Sequence, residues 1–264
     1  MAAVRFSKWE GTGNDFIVID DRDGRFPVGD LQLVRSLCDR HFGIGSDGLI
    51  LLQNGEGVDY RMEFLNPDGS RSFCGNGSRC AYAFWSALTG SRGPARFMAI
   101  DGLHEAGWKG EQVRISLGPV EAIRTNGGAD NLHNGSPHEL VWVPDPGAID
   151  IDREGAARAH APAHQPGGTN VNFVRTTDRG VEVRTFERGV EAETLSCGTG
   201  VVASALSAIH RGKAHSPVAV ITRGGALSVE AETLAGGGWR NIWLTGPVRR
   251  VFEGEWDPAF PPAS

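Results

Sequence analysis

The chain has 264 residues, of which 40% are hydrophobic and 22% are charged, and its formal net charge is -6. This size and composition predict a globular protein with one large core or two smaller ones, and we favour two. The negative balance, without any block of Lys or Arg, argues against nucleic acid as a partner. The longest aliphatic run, residues 49–52, is too short to span a membrane, and the polar start has no apolar secretion segment, so we expect a cytoplasmic protein.

Short β-like runs separated by glycines predict abundant sheet, with only a few helices between them. In chain order, the predicted elements are strand 16–19, helix 31–41, strand 60–65, helix 77–88, strand 113–117, strand 181–186, helix 200–210 and strand 218–221. Gly, Ala, His and Pro are frequent in residues 126–136 and 156–168, and this composition favours loops.

The pattern Cys-Gly-x-Gly occurs twice, at Cys74 and at Cys197, about half the chain apart. Each cysteine follows a predicted strand and precedes an apolar helix. We infer an α/β (α+β) fold of two pseudo-symmetric halves, each a curved, mostly antiparallel sheet around a central helix, with the active site in the cleft between them. Turns near residues 118 and 246 predict a first half at 1–118, joined by the C-terminal segment 249–264, and a second half at 119–248.

Four cysteines in a chain of this length do not form a disulfide scaffold, and a cytosolic compartment would keep them reduced. None belongs to a Cys-x-x-Cys pair or matches a cluster of histidines, so we predict no metal. Cys38 and Cys80 are typical of small buried core residues. Cys74 and Cys197 are different, because two matched turns at this spacing are difficult to explain by packing alone.

A cysteine at the first turn of a helix lies among unpaired backbone N–H groups and at the positive end of the helix dipole, which favours its thiolate form. The glycines that follow leave the backbone open, so a substrate carboxylate is able to accept hydrogen bonds from the same turn. One such loop would suit a thiol protease or a transferase. Two loops favour a reaction that needs a group on each face of one carbon, which is stereoinversion by a thiolate and a thiol without a cofactor.

The sequence resembles the diaminopimelate epimerases over nearly its whole length. The matching residues are Gly-Asn-Asp-Phe at 13–16, Arg-His-Phe-Gly-Ile-Gly at 40–45 with Asp-Gly at 47–48, Asn-Pro-Asp-Gly-Ser at 66–70, Cys-Gly-Asn-Gly-Ser-Arg-Cys at 74–80, Val-Asn-Phe at 171–173, Glu-Arg-Gly at 187–189 and Cys-Gly-Thr-Gly at 197–200. Taken together these motifs are highly specific, although Asn-Pro-Asp-Gly alone would be an ordinary turn.

The resemblance implies cofactor-independent interconversion of LL- and meso-diaminopimelate, in lysine and peptidoglycan precursor biosynthesis, by a protein that forms homodimers. It implies that Cys74 and Cys197 are the acid/base pair. The substrate-binding residues that it implies are Asn14, Asn66, Gly75, Asn76, Asn172, Glu187, Arg188, Gly198 and Thr199. Arg188 has the planar fork that suits the distal carboxylate. The resemblance also gives a supporting role to Ser136 and His138, and it implies that His138 or Glu187 tunes a thiol or binds the substrate amine.

Two residues depart from the commoner family pattern. Ser136 stands where many members have Asn, and Gly48 stands where some have Gln. Both positions concern substrate recognition, so a racemase of another amino acid on the same fold is the nearest alternative. His41 and Asp47 match the family motif, but no chemical step needs them, and we expect them to shape a turn.

Two more distant alternatives also stand. An isomerase of the related fold that uses a carboxylate is disfavoured by the presence of both cysteines. A binding module without catalysis would predict that replacing either cysteine by Ser changes no catalytic readout.

Overall fold

The structure is a computed structural model that describes residues 3–257. Within this range the chain divides into two compact units. The first unit runs to Ile115 and resumes at Val248, and the second is Ser116–Pro247. The division predicted from sequence, at residues 118 and 248, stays a prediction, and its residues 1, 2 and 258–264 lie outside the described range.

The first unit is a mixed sheet with two helices. Its elements in chain order are β1 (Val4–Gly11), β2 (Asn14–Asp20), α1 (Leu31–Cys38), β3 (Gly48–Gln53), β4 (Tyr60–Leu65), α2 (Gly75–Thr89), β5 (Ala95–Ala99), β6 (Gly102–Lys109) and β7 (Gln112–Leu117). The strands pair in sequence order. The β2–β3 and β4–β5 pairs are parallel and the others are antiparallel.

The second unit has the same kind of sheet. Its elements are β8 (Arg124–Asn126), β9 (Ala129–His133), β10 (Pro137–Trp142), α3 (Ile151–Ala159), β11 (Asn170–Thr177), β12 (Gly180–Glu187), β13 (Ala192–Thr194), α4 (Gly198–His210), β14 (Val218–Thr222), β15 (Gly225–Thr233) and β16 (Trp239–Gly246). Short 3-10 helices occupy Pro146–Ala148 and Pro162–His164. The β10–β11 and β12–β14 pairs are parallel and the other pairs are antiparallel. The final strand β17 (Arg249–Trp256) pairs with β1 of the first unit, antiparallel.

The two units repeat one order of elements. Strands β1 to β7 correspond in turn to β9, β10, β11, β12, β14, β15 and β16, with the same sequence of parallel and antiparallel pairings. Helices α1 and α3 connect the first parallel pair, and α2 and α4 connect the second. This mixed fold, mostly antiparallel and with few helices, confirms the predicted fold class and its pseudo-symmetric halves.

The central helices α2 and α4 are buried along most of their length. Each packs against several strands of its own unit, and each begins two residues before the start predicted from sequence. Cys74 and Cys197 are therefore the N-cap residues of these helices. No helix among residues 3–257 has both the length and the apolar character that crossing a membrane requires.

Helix α1 ends earlier than the predicted 31–41. Asp39 follows its last residue, and the Asp39 Oδ1 accepts hydrogen bonds from the backbone N–H groups of His41 and Phe42, both at 2.7 Å. Such a side-chain bond to the backbone competes with the helix. A Cβ at Gly43 would lie 1.9 Å from the Ser36 carbonyl oxygen, so glycine lets the chain turn back against α1.

The prediction of loops at 126–136 and 156–168 was wrong in part, because β9 lies in the first segment and the end of α3 lies in the second. Asp150 caps α3 by accepting a hydrogen bond from the Arg153 N–H at 3.2 Å. A Cβ at Gly155 would be 2.3 Å from the Phe186 Cβ, so the close approach of this helix to β12 at this point requires glycine. Its small residues carry little of the apolar periodicity that identifies a helix.

Candidate active site

The Cys74 sulfur lies over the first turn of α2. It accepts a hydrogen bond from the Gly77 N–H at 3.3 Å, as an N-cap side chain does. A Cβ at Gly77 would be 3.4 Å from this sulfur and 3.2 Å from the Ile50 Cδ1, so glycine leaves room for the sulfur at the helix end. Because the N–H groups and the dipole of this turn stabilise negative charge, the position favours a thiolate.

The Cys197 sulfur occupies the corresponding place at α4, and Cys197 is buried. It lies 3.5 Å from the Thr199 Oγ1. A Cβ at Gly200 would be 3.4 Å from this sulfur and only 2.5 Å from the Asn172 Oδ1. The first turn of α4 is therefore packed directly onto a polar side chain, whereas the first turn of α2 packs onto Ile50.

The Asn14 amide faces the Cys74 loop in a fixed orientation. Its Nδ2 donates to the Asp47 Oδ2 at 2.7 Å, and its Oδ1 accepts from the Asn76 Nδ2 at 3.3 Å and lies 3.8 Å from the Cys74 sulfur. Arg40 holds Asp47 through an ion pair at 2.6 Å. Asp47 thus has a structural role, and that role is to orient Asn14 beside the thiol.

The loop that carries Cys197, called here the second thiol loop, leads into α4, and the loop that carries Cys74 is the first thiol loop. Beneath the second thiol loop lies a buried polar triad of His138, Asn172 and Thr185. The Asn172 Nδ2 donates to the His138 Nδ1 and to the Glu139 carbonyl oxygen, both at 3.1 Å, and its Oδ1 accepts from the Thr185 Oγ1 at 3.0 Å. Both amide hydrogens of Asn172 are used within the protein. The side chain is 0% exposed, so Asn172 supports the loop and has no donor left for a substrate.

The matching layer beneath the first loop is apolar. The register of the paired strands shows which residues correspond in the two units. Phe16 pairs with Gly48 as His138 pairs with Asn170. Ile50 pairs with Phe64 as Asn172 pairs with Thr185, so Phe16, Ile50 and Phe64 take the places of His138, Asn172 and Thr185. The rings of Phe16 and Phe64 pack edge to face with their centroids 5.9 Å apart. The two thiol loops thus have the same backbone arrangement, but the side chains beneath the first are apolar and those beneath the second are polar.

His138 is neutral. Burial lowers the pKa of its imidazole from 6.5 to about 3, with smaller contributions from the charges of His133 and Arg188. Because Nδ1 accepts the Asn172 hydrogen bond, the ring hydrogen is on Nε2, which has no hydrogen-bond partner among residues 3–257. This donor suits an anion such as a carboxylate or a thiolate, and it does not suit an ammonium group.

Asn170 was missed by the sequence analysis, although it lies only two residues before Asn172. Its Nδ2 donates to the Ser136 Oγ at 2.8 Å, and its Oδ1 accepts from the Arg188 N–H at 2.9 Å. Arg188 also donates from Nη1 to the Gly167 carbonyl oxygen at 2.8 Å. Asn170, Ser136 and Arg188 therefore form one polar cluster, which the sequence could have indicated through the asparagine in Asn-Val-Asn.

Asn66 follows the last residue of β4, and Glu187 is the last residue of β12. The two positions are equivalent, because each lies two residues after the matched pair Phe64 and Thr185. The Asn66 Nδ2 donates to Ser70 and to the Ser72 Oγ at 3.1 Å, which closes the turn. The Glu187 Oε2 accepts from the Thr194 Oγ1 at 3.0 Å. Gly75 and Gly198 begin helices α2 and α4, next to the cysteines.

Two further residues, Asn134 and Arg79, tie the loops in place and were not predicted from the sequence. The Asn134 Nδ2 donates to the Thr199 carbonyl oxygen at 2.8 Å, and the Arg79 Nη1 donates to the Asn76 Oδ1 at 2.9 Å. Between residues 3 and 257, no group of three or more His, Cys, Asp or Glu side chains has a metal-binding arrangement.

The repeated fold has counterparts among solved structures. A phenazine biosynthesis protein of the PhzF family from Bacillus anthracis matches with a TM-score of 0.73 and 13% identity, over 97% of this chain and 99% of that one. A hydroxyproline epimerase from Agrobacterium vitis, solved with trans-4-hydroxy-L-proline, matches with a TM-score of 0.67 and 17% identity, over 97% and 94%. At these identities the likeness concerns the fold.

Relatives found by sequence have much higher identity to this chain than these solved structures have. The diaminopimelate epimerase of Flavobacterium psychrophilum is 40% identical over 263 residues, which cover 95% of this chain and 99% of the relative. That of Chlorobaculum tepidum is 43% identical, over 92% of this chain and 98% of the relative. The sequence model of the family described as diaminopimelate epimerase matches residues 6–123 and 131–251. This chain belongs to the diaminopimelate epimerase family.

Proposed function

We propose that this amino-acid epimerase inverts one α-carbon of diaminopimelate, between the LL and meso forms, with Cys74 and Cys197 as its acid/base pair and with no cofactor. The observation that carries the proposal is the repeat itself. Each cysteine is the N-cap of the central helix of its unit, with a glycine three residues later. A reaction that treats the two faces of one carbon alike needs two such groups.

In the proposed reaction, the thiolate of one cysteine takes the α-proton and becomes a thiol, leaving the electron pair on the α-carbon. The thiol of the other cysteine then donates its proton to the opposite face and becomes a thiolate. The backbone N–H groups at the two helix ends stabilise the charge that spreads onto the substrate carboxylate. The reverse reaction exchanges the roles of the two cysteines.

We further propose how the polar residues hold the substrate. Gly75 and Asn76 in the first unit, and Gly198 and Thr199 in the second, are proposed to line the reacting carboxylate. Asn170 joins the residues proposed to bind the rest of the substrate, in place of Asn172, whose two amide hydrogens are both used within the protein. The other proposed substrate-binding residues are Asn14, Asn66, Ser136, Glu187 and Arg188.

Arg188 and Asn170 support this assignment by their contact. The Asn170 amide accepts the Arg188 backbone N–H at 2.9 Å, which fixes the start of the loop that carries the guanidinium. A planar guanidinium binds a carboxylate with two hydrogen bonds, so Arg188 is the proposed partner of the distal carboxylate. Glu187 then remains as the proposed partner of an ammonium group, because His138 offers a donor.

The experiment follows exchange of the α-hydrogen in deuterated water, with purified and reduced protein. LL-diaminopimelate is compared with a panel that includes proline and hydroxyproline. We expect deuterium incorporation together with the appearance of the meso form for diaminopimelate, and no exchange for the panel. Exchange of another amino acid, without exchange of diaminopimelate, would contradict the assigned substrate and leave the two-thiol mechanism to be tested separately.

A racemase of another amino acid is the second candidate, and it rests on Ser136 and Gly48. A Cβ at Gly48 would be 2.4 Å from the Phe64 ring, so Phe64 occupies the space that a larger residue would need. Ser136 keeps a hydroxyl that contacts Asn170. These two residues are the first to replace if the panel yields a different substrate.

We also propose that the protein acts in the cytoplasm, in lysine and peptidoglycan precursor biosynthesis, and that it forms a homodimer. The resemblance to the family supports these three proposals. Light scattering after size-exclusion chromatography tests the last one, for which we expect twice the mass of the chain. A single-chain mass at micromolar concentration would contradict it.

A further inference from the structure

Arg79 is a buried cation close to the first thiol loop. It lies in α2, five residues after Cys74, and its side chain is 0% exposed. Its Nη1 donates to the Asn76 Oδ1 at 2.9 Å and its Nη2 donates to the Thr12 Oγ1 at 3.3 Å, whereas Nε has no partner within residues 3–257. A buried charge that is not paired with a carboxylate is costly, so its presence needs a reason.

The groups that face Arg79 do not neutralise it. The charged forms of Cys80, Cys74 and Glu10 each raise the pKa of Arg79, but burial dominates and lowers that pKa to about 10, so the guanidinium keeps its charge at neutral pH. Burial raises the pKa of the Cys80 thiol far above its usual range, so Cys80 stays neutral. The Glu10 carboxylate instead accepts from the Gly13 N–H at 3.0 Å and pairs with Arg249 at 3.3 Å.

Arg79 connects the turn between β1 and β2 to the start of α2. Thr12 in that turn has a φ of 57°, a left-handed conformation that is uncommon for a β-branched residue. Asn14 lies two residues after Thr12, and Cys74 lies two residues before Asn76. Asn14 is proposed to bind the substrate, and Cys74 is proposed to act on its α-carbon. The guanidinium therefore holds two segments of the candidate site together.

The second unit makes the same connection without a charge. There the Asn134 amide, in the turn between β9 and β10, donates directly to the Thr199 carbonyl oxygen at 2.8 Å in the first turn of α4. The residue five positions after Cys197 is Val202, which is also 0% exposed. Since a neutral amide is enough to hold the turn, the charge of Arg79 has a purpose beyond holding it.

We propose that Arg79 is a positioning residue that fixes Asn76 and the Thr12 turn and makes the two thiol loops electrostatically unequal, so that the thiolate form is favoured at Cys74 over Cys197. The proposal rests on the proposed role of the two cysteines. A unit cation in a site of low polarity acts strongly on a nearby sulfur, whereas Arg188 of the second unit is exposed and screened by water. At rest, the enzyme holds its base at Cys74 and its acid at Cys197.

The test measures alkylation by iodoacetamide in the reduced full-length protein, between about pH 5 and pH 10, with each cysteine peptide quantified by mass spectrometry. In the wild type we expect the midpoint of the pH profile to be lower for Cys74 than for Cys197. Arg79→Met keeps an unbranched apolar side chain in α2 and removes the charge. It is expected to raise the Cys74 midpoint by about one unit, which is about tenfold slower alkylation of Cys74 at neutral pH.

Two further variants serve as controls. Arg79→Lys keeps the charge and is expected to retain most of the wild-type midpoint, which a purely structural role would not predict. Val202→Met places the same side chain at the equivalent position of α4 without a change of charge, and it is expected to leave the Cys74 midpoint unchanged. Equal or reversed midpoints in the wild type, or an unchanged Cys74 midpoint in folded Arg79→Met, would overturn the proposal.

The wild-type comparison and Arg79→Lys decide the question if Arg79→Met does not fold. Alkylation needs no substrate, so failure of this proposal is distinct from failure of the proposed function. The latter would appear as absent α-hydrogen exchange in a protein whose thiol profiles are as predicted.

Discussion

A glycine three residues after each cysteine sets how closely the sulfur lies to its helix. The space beside Gly200 is limited by the Asn172 Oδ1, at 2.5 Å from an added Cβ, whereas the space beside Gly77 is limited by the Ile50 methyl end, at 3.2 Å. A methyl end moves more easily than a buried amide that makes three hydrogen bonds. The same substitution therefore has different costs in the two loops.

We predict that Gly200→Ala lowers the free energy of unfolding by about 1–3 kcal/mol, because the new methyl displaces Asn172. In Gly77→Ala, the gain in helix propensity of about 1 kcal/mol offsets a smaller steric cost, so this matched variant is expected to stay close to the wild type. Chemical denaturation followed by circular dichroism gives both values. Equal losses of stability in the two variants would show that the Asn172 contact does not decide the cost.

His138 makes a second prediction at the scale of the residue. In the folded protein the pKa of His138 is lowered from its ordinary value of 6.5 to about 3. Between these two pH values His138 is therefore protonated in the unfolded chain and neutral in the folded protein. Stability should therefore fall as the pH is lowered across this window, from about 6.5 to about 3, by about 1.4 kcal/mol per pH unit. In His138→Gln this part of the slope is expected to disappear. The measurement is the unfolding free energy at several pH values, and an unchanged slope would contradict the buried, neutral assignment.

The roles of single polar residues were difficult to predict from the sequence, because they depend on contacts inside the folded protein. Asn170 and Asn172 look alike in the sequence Asn-Val-Asn and lie on the same face of β11, but their different positions along the strand give them different neighbours. One contacts Ser136 and the backbone of Arg188, and the other lies beneath α4. Asp47 had no assignable chemistry in the sequence, because its role is to orient Asn14 through a contact that only the folded chain provides.

At the scale of elements, the end of α4 is anchored by a buried carboxylate on β9. Asp130 is 0% exposed, and its oxygens accept from the Ser207 Oγ at 2.5 Å, from Arg211 at 2.7 and 2.9 Å, and from the Thr125 Oγ1 at 2.8 Å. Burial by itself would raise the pKa of Asp130, but these hydrogen bonds outweigh it and lower that pKa. The carboxylate is thus charged at neutral pH and ties α4 to the sheet.

Replacing Asp130 by Asn is expected to destabilise the second unit by about 3 kcal/mol, because Arg211 loses its charged partner and an amide N–H faces other donors. The control is Asp178→Asn, at an exposed position, with an expected effect within about 0.5 kcal/mol. Thermal and denaturant unfolding measure both variants. A loss as small as that of the control would mean that Asp130 does not anchor the helix.

Among the elements, the two central helices were predictable because their apolar composition and preceding cysteines are visible in the sequence. Helix α3 was not, because its contact with β12 uses the missing side chain of Gly155. The end of α1 was also missed, since it depends on the hydrogen bonds that Asp39 makes to the following backbone. Both errors concern local interactions that override or hide helix periodicity.

At the scale of the whole molecule, the chain is built as two versions of one unit with the same order of strands and helices. The spacing of two Cys-Gly-x-Gly turns predicted this repeat. It did not predict that the units differ in chemistry, with a polar triad beneath α4 and a buried Arg79 within α2. Two units with a shared order of elements but unequal surroundings at the two cysteines suit the proposed reaction, in which the two thiols exchange roles and start from different protonation states.

Both cysteines are proposed to act on one α-carbon. The most direct measurement follows deuterium incorporation and stereochemistry of diaminopimelate together, for the wild type, Cys74→Ser and Cys197→Ser, with Cys38→Ser as the matched control at a buried cysteine outside the two loops. We predict inversion with exchange in the wild type and the control, and loss of inversion by at least about a hundredfold in each loop variant. Inversion at the wild-type rate in either loop variant would contradict the account.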